Sequence, residues 1–167
     1  MLISEMTGEE CRNLLARLGF GRLASAHQNQ PYIVPIYFAY EKNRLYGFTT
    51  LGGKVEWMRS NPLVCVEVDE VVSHFLWSSV VVLGRYEELP DTPEYTDARL
   101  QAEARLETRA LWWQTAYAAN QVRSGERPAN AVFYCIHIDK ITGRRATADR
   151  MESSVGFSGA QRPVREK

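Results

Sequence analysis

The sequence predicts a mainly β protein with peripheral helices, in which six antiparallel strands close, or nearly close, into a barrel. Three observations lead to this fold class. Alternating or apolar runs of strand length recur along the chain, short polar turns of hairpin length join several of them, and helical periods are few. Hairpin connections argue against a parallel sheet, and six antiparallel strands in 167 residues favour barrel closure.

The helices are recognised from their ends. Thr7 and Glu10 form a capping box that opens the first helix, and Gly19 stops it. Thr92 is the predicted N-cap of the third helix, with a proline in the first helical position, and the helical pattern extends to Ala118. The predicted strands cover residues 21–26, 32–40, 44–50, 63–69, 75–88 and 131–139, and a short second helix covers 53–60.

Composition narrows the class of protein. We expect a single domain over residues 1–147, followed by a polar, aperiodic and mobile tail over 148–167. The 20 basic residues equal the 20 acidic ones, which argues against nucleic-acid and membrane partners. The three cysteines form no C-x-x-C pair, and no apolar run is long enough to span a bilayer. These features predict a soluble cytoplasmic protein with reduced thiols and no metal site.

The stretch "FTTLGGKVEWMRSNP", residues 48–62, places a lysine in the first turn of the short helix. A helix N-terminus is already partly positive, so a cation there is unfavourable unless an anion offsets it. One interpretation is that Lys54 extends into solvent beside a glycine turn. The other is an anion site, in which the N–H groups of Gly52, Gly53 and Lys54 and the hydroxyls of Thr49 and Thr50 converge on a phosphate. Local sequence leaves both open.

Longer stretches carry a family resemblance. "FTTLGGKVEWMRSNPLVCVEV", "VVVLGRYEEL", "WSSV" and "IDKITGRRA" are similar to the flavin-binding split barrels related to pyridoxamine 5′-phosphate oxidase, in the branch that contains nitroimidazole-resistance proteins. The similarity spans about residues 6–147, and the spacing from Lys54 to Asn61-Pro62 is its most specific element. The resemblance implies a split β-barrel in which Lys54, with Thr49 or Thr50, holds the phosphate of FMN.

The resemblance also assigns the other expected cofactor contacts. It places the flavin ring against the strand that contains Pro35, although a proline there also fits plain edge protection. It makes the "WSSV" segment a source of ring or ribityl contacts, although Trp77 also fits a core position. The expected cofactor-binding residues are Pro35, Ile36, Tyr37, Phe48, Thr49, Thr50, Gly53, Lys54, Trp77, Ser78, Ser79 and Val80.

The implied function is FMN-dependent oxidation or reduction of a small organic molecule. Flavin chemistry belongs to the cofactor, so the absence of a catalytic side-chain motif is consistent with it, and no catalytic residue is named. The resemblance places an Arg-, His- and Trp-rich segment after the last strand of the authentic oxidases, where this sequence has "GRRATADR" and a polar stretch, so we do not expect pyridoxamine 5′-phosphate to be the substrate. The alternatives are a non-catalytic flavin or haem binder acting as carrier or sensor, and an empty barrel that serves as an interaction module.

A homodimer is predicted from the strand "YIVPIYFAY", residues 32–40, in which both alternating sets are apolar or aromatic. A strand with one solvated face alternates apolar with polar residues, and a small barrel buries only the inner set. The third helix could cover part of the outer set. A second copy packed by two-fold symmetry is the better candidate. It agrees with the resemblance, which implies that FMN lies between two barrels.

Overall fold

The structure, a computed structural model, describes residues 1–109 and 131–148. Its strands form one sheet, and every pairing is antiparallel. The mainly β fold class is confirmed, with eight strands in place of six. The strands are β1 (Leu2–Glu5), β2 (Phe20–His27), β3 (Gln30–Tyr37), β4 (Ala39–Glu41), β5 (Arg44–Thr50), β6 (Leu63–Ser73), β7 (Leu76–Leu89) and β8 (Ala131–Thr147).

The order of the strands shows how the sheet closes. The order is β3-β2-β6-β7-β8-β5-β4, and β1 pairs with β8. β3 and β4 therefore lie at opposite ends of this order, yet only Phe38 separates them in the chain. The Phe38 N–H donates to the Gly19 carbonyl at 2.9 Å, outside the β3 ladder. Because both ends meet at one residue, the sheet curls into a split barrel, and the single strand predicted over 32–40 is divided in two.

Two hairpins have the turns that their sequences predict. Gln28 and Asn29 connect β2 to β3, and Lys42 and Asn43 connect β4 to β5. All four residues have positive φ, between 46° and 66°. Two consecutive residues of this kind form a type I′ turn, whose twist matches that of the flanking strands.

Two strand predictions are corrected. β1 was not predicted, and β8 continues eight residues beyond the predicted end at Asp139, to Thr147. Both additions are largely exposed segments without an alternating apolar pattern, and they pair mainly with each other and with β7. Backbone hydrogen bonds to the neighbouring strands stabilise them, and the side-chain pattern does not reveal such pairing. Of the tail predicted over 148–167, residues 149–167 lie outside the described residues.

The first two helices agree with the sequence analysis. α1 (Gly8–Arg17) begins at the predicted capping box, where the Glu10 N–H donates to Thr7 Oγ1 at 3.2 Å and the Thr7 N–H donates to Glu10 at 2.8 Å. α2 (Gly53–Ser60) has the predicted bounds. No helix among the described residues is both long enough and apolar enough to cross a bilayer.

The start of the third helix is corrected. Thr92 precedes a 3-10 turn over Pro93–Tyr95, and the α-helix α3 covers Thr96–Glu107. Thr92 makes no side-chain cap hydrogen bond; its carbonyl accepts from the Tyr95 N–H instead. α3 ends at Glu107, and the remainder of the predicted extension, from residue 110 to Ala118, lies outside the described residues.

The sheet has a core on each of its two faces. The inner core fills the barrel and includes α1 and α2 side chains; the outer core lies beneath α3, on β4, β5 and β8. The inner core contains Cys11, Leu14, Leu15, Leu23, Ile36, Phe38, Leu45, Met58, Val64, Val66, Val68, Val80, Val82, Tyr86, Tyr134, Ile136 and Ile138. The outer core contains Ala39, Tyr46, Leu89, Ala102, Leu106, Phe133 and Cys135.

Candidate functional site

The N-terminus of α2 presents unpaired backbone donors. Gly52 is the N-cap residue and supplies no side-chain cap. Its carbonyl accepts from the N–H groups of Val55 and Glu56, whereas the Gly53 and Lys54 N–H groups make no backbone hydrogen bond within the described chain. A Cβ added at Gly52 or Gly53 would meet nothing within 4 Å. The two glycines therefore leave open space in front of these donors.

Lys54 is a half-buried cation beside this space. It makes no hydrogen bond or ion pair with any residue of the described ranges 1–109 and 131–148. Burial lowers the pKa of its ammonium group, because part of its hydration is lost and no carboxylate compensates. An ammonium group in these surroundings is stabilised by an incoming anion.

The end of β5 leads directly into the glycine turn before Lys54. Thr49 is half-buried and Thr50 is exposed, and the Thr49 hydroxyl donates weakly to the Thr50 carbonyl at 3.4 Å. Phe48 packs against Phe133 with ring centroids 4.9 Å apart. Phe48, Thr49 and Thr50 end β5 two residues before the helix that begins with Gly53 and Lys54, and the Phe48 ring packs against the outer core. An ammonium, two N–H groups and two hydroxyls are donors suited to a phosphate group.

Asn61 secures the other end of α2. Its side-chain amide donates to the Ala26 carbonyl on β2 at 3.0 Å, and its side-chain oxygen accepts from the Leu63 N–H at 3.2 Å. The Pro62 carbonyl accepts from the Tyr86 N–H at 2.8 Å. Arg59 adds a two-pronged ion pair with Glu88 on β7. The Asn61-Pro62 pair is thus an anchor for the helix whose N-terminus holds Lys54, a role that the sequence analysis did not identify.

The expected contacts on β3 differ in orientation. Pro35 is exposed on an edge strand, as its missing N–H predicts. Tyr37 is half-buried against Phe20, with ring centroids 4.8 Å apart. Ile36 points into the inner core and is 4% exposed, so it can reach a ligand only through its backbone.

The expected contacts on β7 lie beside a second cleft. Trp77 and Ser79 line a cavity of about 450 Å³ between β7, β8 and the end of β1. The Ser79 hydroxyl donates to Glu67 at 2.9 Å. Ser78 is half-buried, and Val80 is completely buried in the inner core.

The residues near Lys54 and those on β7 lie near different ends of β8. Thr49 lies opposite Val132 near the start of β8, and Ser79 lies opposite Arg144 near its end. The 12 residues between these positions correspond to about 40 Å of extended strand, measured along the chain. We call Thr49, Thr50, Gly53 and Lys54 the Lys54 group, and Trp77 and Ser79 the β7 group. The strand end that precedes Lys54 and the β7 group therefore lie near opposite ends of β8.

A third cluster was missed by the sequence analysis, which predicted no metal site. It lies on β7 and β8, next to the ion pair of Asp139 with Arg85. Glu87 on β7, the cross-strand neighbour of Cys135, joins Cys135 and His137. Burial, with a smaller contribution from the Glu87 charge, raises the pKa of the Cys135 thiol to about 12, and hydrogen bonding to His137 lowers the pKa of Glu87. Strand register creates this cluster, and register is not visible in the sequence pattern.

Comparison with known proteins identifies the family. The profile of the family described as pyridoxamine 5′-phosphate oxidase matches residues 7–145, so the chain belongs to this family. An uncharacterized protein of Rhizobium meliloti (strain 1021) is 39% identical over 151 residues, which cover 90% of this chain and 100% of that protein.

Solved structures agree with this assignment. A FAD-binding protein from Mesorhizobium loti is 41% identical with a TM-score of 0.73, and the match covers 88% of this chain and 100% of that one. A provisionally named 5-nitroimidazole antibiotic resistance protein from Bacteroides thetaiotaomicron has a TM-score of 0.62 at 20% identity, covering 87% of this chain and 89% of that one. The second similarity concerns the fold alone.

Proposed function

We propose that this protein binds FMN and acts as an oxidoreductase on a small organic molecule. The observation that carries the proposal is Lys54, a half-buried ammonium without an acidic partner among the described residues, beside two free N–H groups and an open glycine turn. These donors fit a phosphate monoester. Family membership supports a flavin as the molecule that carries this phosphate.

In this proposal each group of residues has a distinct task. Lys54 and the N–H groups of Gly53 and Lys54 bind the phosphate, and Thr49 or Thr50 adds a hydroxyl contact. The exposed face of β3 at Pro35 supports one side of the ring. A bound flavin supplies hydride transfer, so the chain has to orient the ring and exclude water from it.

The proposal includes a homodimer, because Trp77 and Ser79 lie near the opposite end of β8 from the strand end that precedes Lys54. The uncovered outer face is suited to a second copy. It includes Ile33, which is 62% exposed, and a cavity of about 430 Å³ with a predominantly apolar lining. Residues of this cavity include Ala24, Ala26, Pro31, Leu63, Cys65 and Leu83. Two-fold packing on this face would bring the β7 group of one copy toward the Lys54 group of the other.

FAD is the second candidate cofactor, because the 41% identical protein from Mesorhizobium loti is named as FAD-binding. Both flavins present a phosphate at the same distance from the ring system, so both use Lys54 in the same way. The open space at Gly52 and Gly53 is compatible with the longer diphosphate of FAD.

Haem is less consistent with the side chains than a flavin. The His27 ring contacts the Ser60 hydroxyl at 2.9 Å, and His137 contacts Glu87 and Cys135. His74 lies exposed in the turn between β6 and β7. None of the three histidines combines a free ring nitrogen with a pocket of haem size among the cavities described above.

The experiment is a visible spectrum of the purified protein, followed by release of the cofactor and determination of its mass. We expect a yellow protein that releases one FMN per chain; release of FAD would retain the flavin site and change the cofactor. A Soret band, or a colourless protein that binds neither flavin, would contradict the proposal. Reduction of the bound flavin by NADH or NADPH, and reoxidation by a quinone or nitroaromatic compound, would establish the oxidoreductase activity.

A further inference from the structure

The cluster formed by Glu87, Cys135 and His137 lies apart from the proposed flavin site and has its own geometry. Cys135 Sγ is 3.4 Å from His137 Nε2 and 3.5 Å from the Glu87 carboxylate, and that carboxylate is 2.5 Å from His137 Nε2. The three atoms thus form a small triangle. In a catalytic Cys-His-Glu relay, the thiol and the carboxylate contact different nitrogens of the imidazole. Here both contact the same nitrogen, so the three groups converge on one point.

We propose that Glu87, Cys135 and His137 form a zinc site with three protein ligands and one open position. The triad combines a thiolate, an imidazole and a carboxylate, which are the ligand types of protein zinc sites. Ordinary zinc–ligand lengths in a tetrahedron require sulfur–nitrogen and sulfur–oxygen separations of about 3.6 Å and a nitrogen–oxygen separation of about 3.4 Å. Two of the three observed edges already agree with these values. The third edge, between the Glu87 carboxylate and His137 Nε2, must lengthen by about 0.9 Å to admit the ion.

The sheet holds these ligands in position without the metal. Glu87 and Cys135 are direct cross-strand neighbours on β7 and β8. His137 lies two residues beyond Cys135 and therefore on the same face of β8. Hydrogen-bonded ladders with β5 and β7 flank Cys135 and His137 on both sides, and the ladder with β8 holds Glu87 on one side. Only side-chain rotations are needed to bind an ion.

The open position faces a cavity of about 280 Å³, which Glu87 and Cys135 line together with Arg44, Tyr46 and Tyr95. Zinc bound to one thiolate, one carboxylate and a neutral imidazole forms a complex without net charge. Arg44, opposite His137 on β5, therefore remains an attractive charge for an anionic fourth ligand. Three protein ligands with an exchangeable fourth position are typical of catalytic zinc sites, whereas structural sites use four.

Equilibrium dialysis of the purified full-length protein against Zn²⁺, with metal content measured by mass spectrometry, tests the proposal. We expect one zinc ion per chain with a dissociation constant at or below about 1 μM. Glu87→Gln, Cys135→Ala and His137→Gln should each weaken zinc binding by more than about 100-fold, because they remove direct ligands. Cys65→Ala and His74→Gln are matched controls that should leave binding unchanged.

A second measurement covers the case in which a substitution of the buried Cys135 prevents folding. In the wild-type protein, Zn²⁺ should slow the modification of Cys135 by a thiol reagent, as located by peptide mass spectrometry, and should not protect Cys65. Absence of saturable zinc binding, or binding that the ligand substitutions do not weaken, would overturn the proposal. Flavin content measured on the same samples tests the function proposed above separately, since none of these residues belongs to the Lys54 group.

Discussion

Lys54 is the residue on which the functional account depends. Burial lowers its pKa in the free protein, whereas the unfolded chain retains the ordinary value near 10.5. Between these two pKa values the unfolded state binds more protons, so stability of the flavin-free protein increases with pH across that window. Below the window, the buried ammonium reduces stability. The charge of Lys54 therefore does not stabilise the flavin-free protein.

Flavin affinity should depend on pH through the same residue. A bound phosphate stabilises the ammonium form, so affinity should be complete below the pKa of Lys54 in the free protein and should decrease as pH rises through it. In Lys54→Arg the cation stays charged across the alkaline range, and this decrease should disappear. Fluorescence titrations of both proteins between neutral and alkaline pH measure the difference. Ionisation of the flavin ring affects both titrations equally and does not contribute to the difference between them. Parallel pH profiles for the two proteins would show that Lys54 does not face the phosphate.

At the scale of elements, α2 is fixed to the barrel by its buried face and by its C-terminal end, whereas its N-terminal end is free. Val55 and Met58 are fully buried, and Asn61 connects the helix end to β2 and to the start of β6. The helix carries the phosphate donors at its free end. Its placement should therefore affect both stability and flavin binding.

Asn61→Ala should lower the free energy of unfolding by about 1–3 kcal/mol, because it leaves the Ala26 carbonyl and the Leu63 N–H without their partner. Flavin affinity should decrease with it, since α2 loses its anchor. Chemical denaturation and flavin titration of the same preparation measure both effects. Ser60→Ala is the control and should change both quantities less, because the Ser60 hydroxyl bonds to His27 and to the Trp57 carbonyl at positions exposed to water, whereas the bond from Asn61 to Ala26 is partly buried. A destabilised Asn61→Ala protein with wild-type flavin affinity would show that α2 is positioned without this anchor.

Elements defined by local signals were predictable from the sequence, and elements defined by distant partners were not. The bounds of α2 follow from Gly52-Gly53 before it and Pro62 after it, and the two hairpins follow from their turns. β1 and the second half of β8 have no apolar pattern and are held by each other and by β7. In the same way, the proposed phosphate donors lie within six consecutive residues and can be named from the sequence, whereas the approach of Glu87 to Cys135 depends on strand register.

At the scale of the whole molecule, the sheet has one covered and one uncovered outer region. α3 covers β4, β5 and part of β8 and buries Ala39, which belongs to the outer set of the strand predicted over 32–40. No described residue covers Ile33, in the same set, or Leu63 on β6, which is 63% exposed. The helix and a second copy, considered as alternatives in the sequence analysis, thus suit different regions of one surface. Burying apolar area contributes about 25 cal/mol per Å², so a second copy on this face would be tightly held, even after the cost of association.

Ile33→Glu should dissociate the proposed dimer and release flavin at the same time. Ile33 is 62% exposed in the single chain, so the substitution should cost the isolated fold little. Leu100→Glu on α3 is a matched control, because Leu100 is 60% exposed and lies in the region of α3. Sedimentation at micromolar concentration should report twice the chain mass for the wild type and the control, and the single chain mass for Ile33→Glu. A wild-type monomer with stoichiometric flavin would contradict the shared site.

The most direct test of the central claim is the FMN affinity of Lys54→Met, measured by fluorescence titration of the flavin-free protein. Loss of charge-assisted contacts to the phosphate should weaken binding by about 1.5–3 kcal/mol, or roughly 10- to 150-fold. Lys42→Met, at an exposed lysine in the β4–β5 turn, should retain wild-type affinity. The unfolding free energy of flavin-free Lys54→Met should not decrease, which separates a binding defect from a folding defect. Wild-type FMN affinity in a folded Lys54→Met protein would contradict the assignment of this turn as the phosphate site.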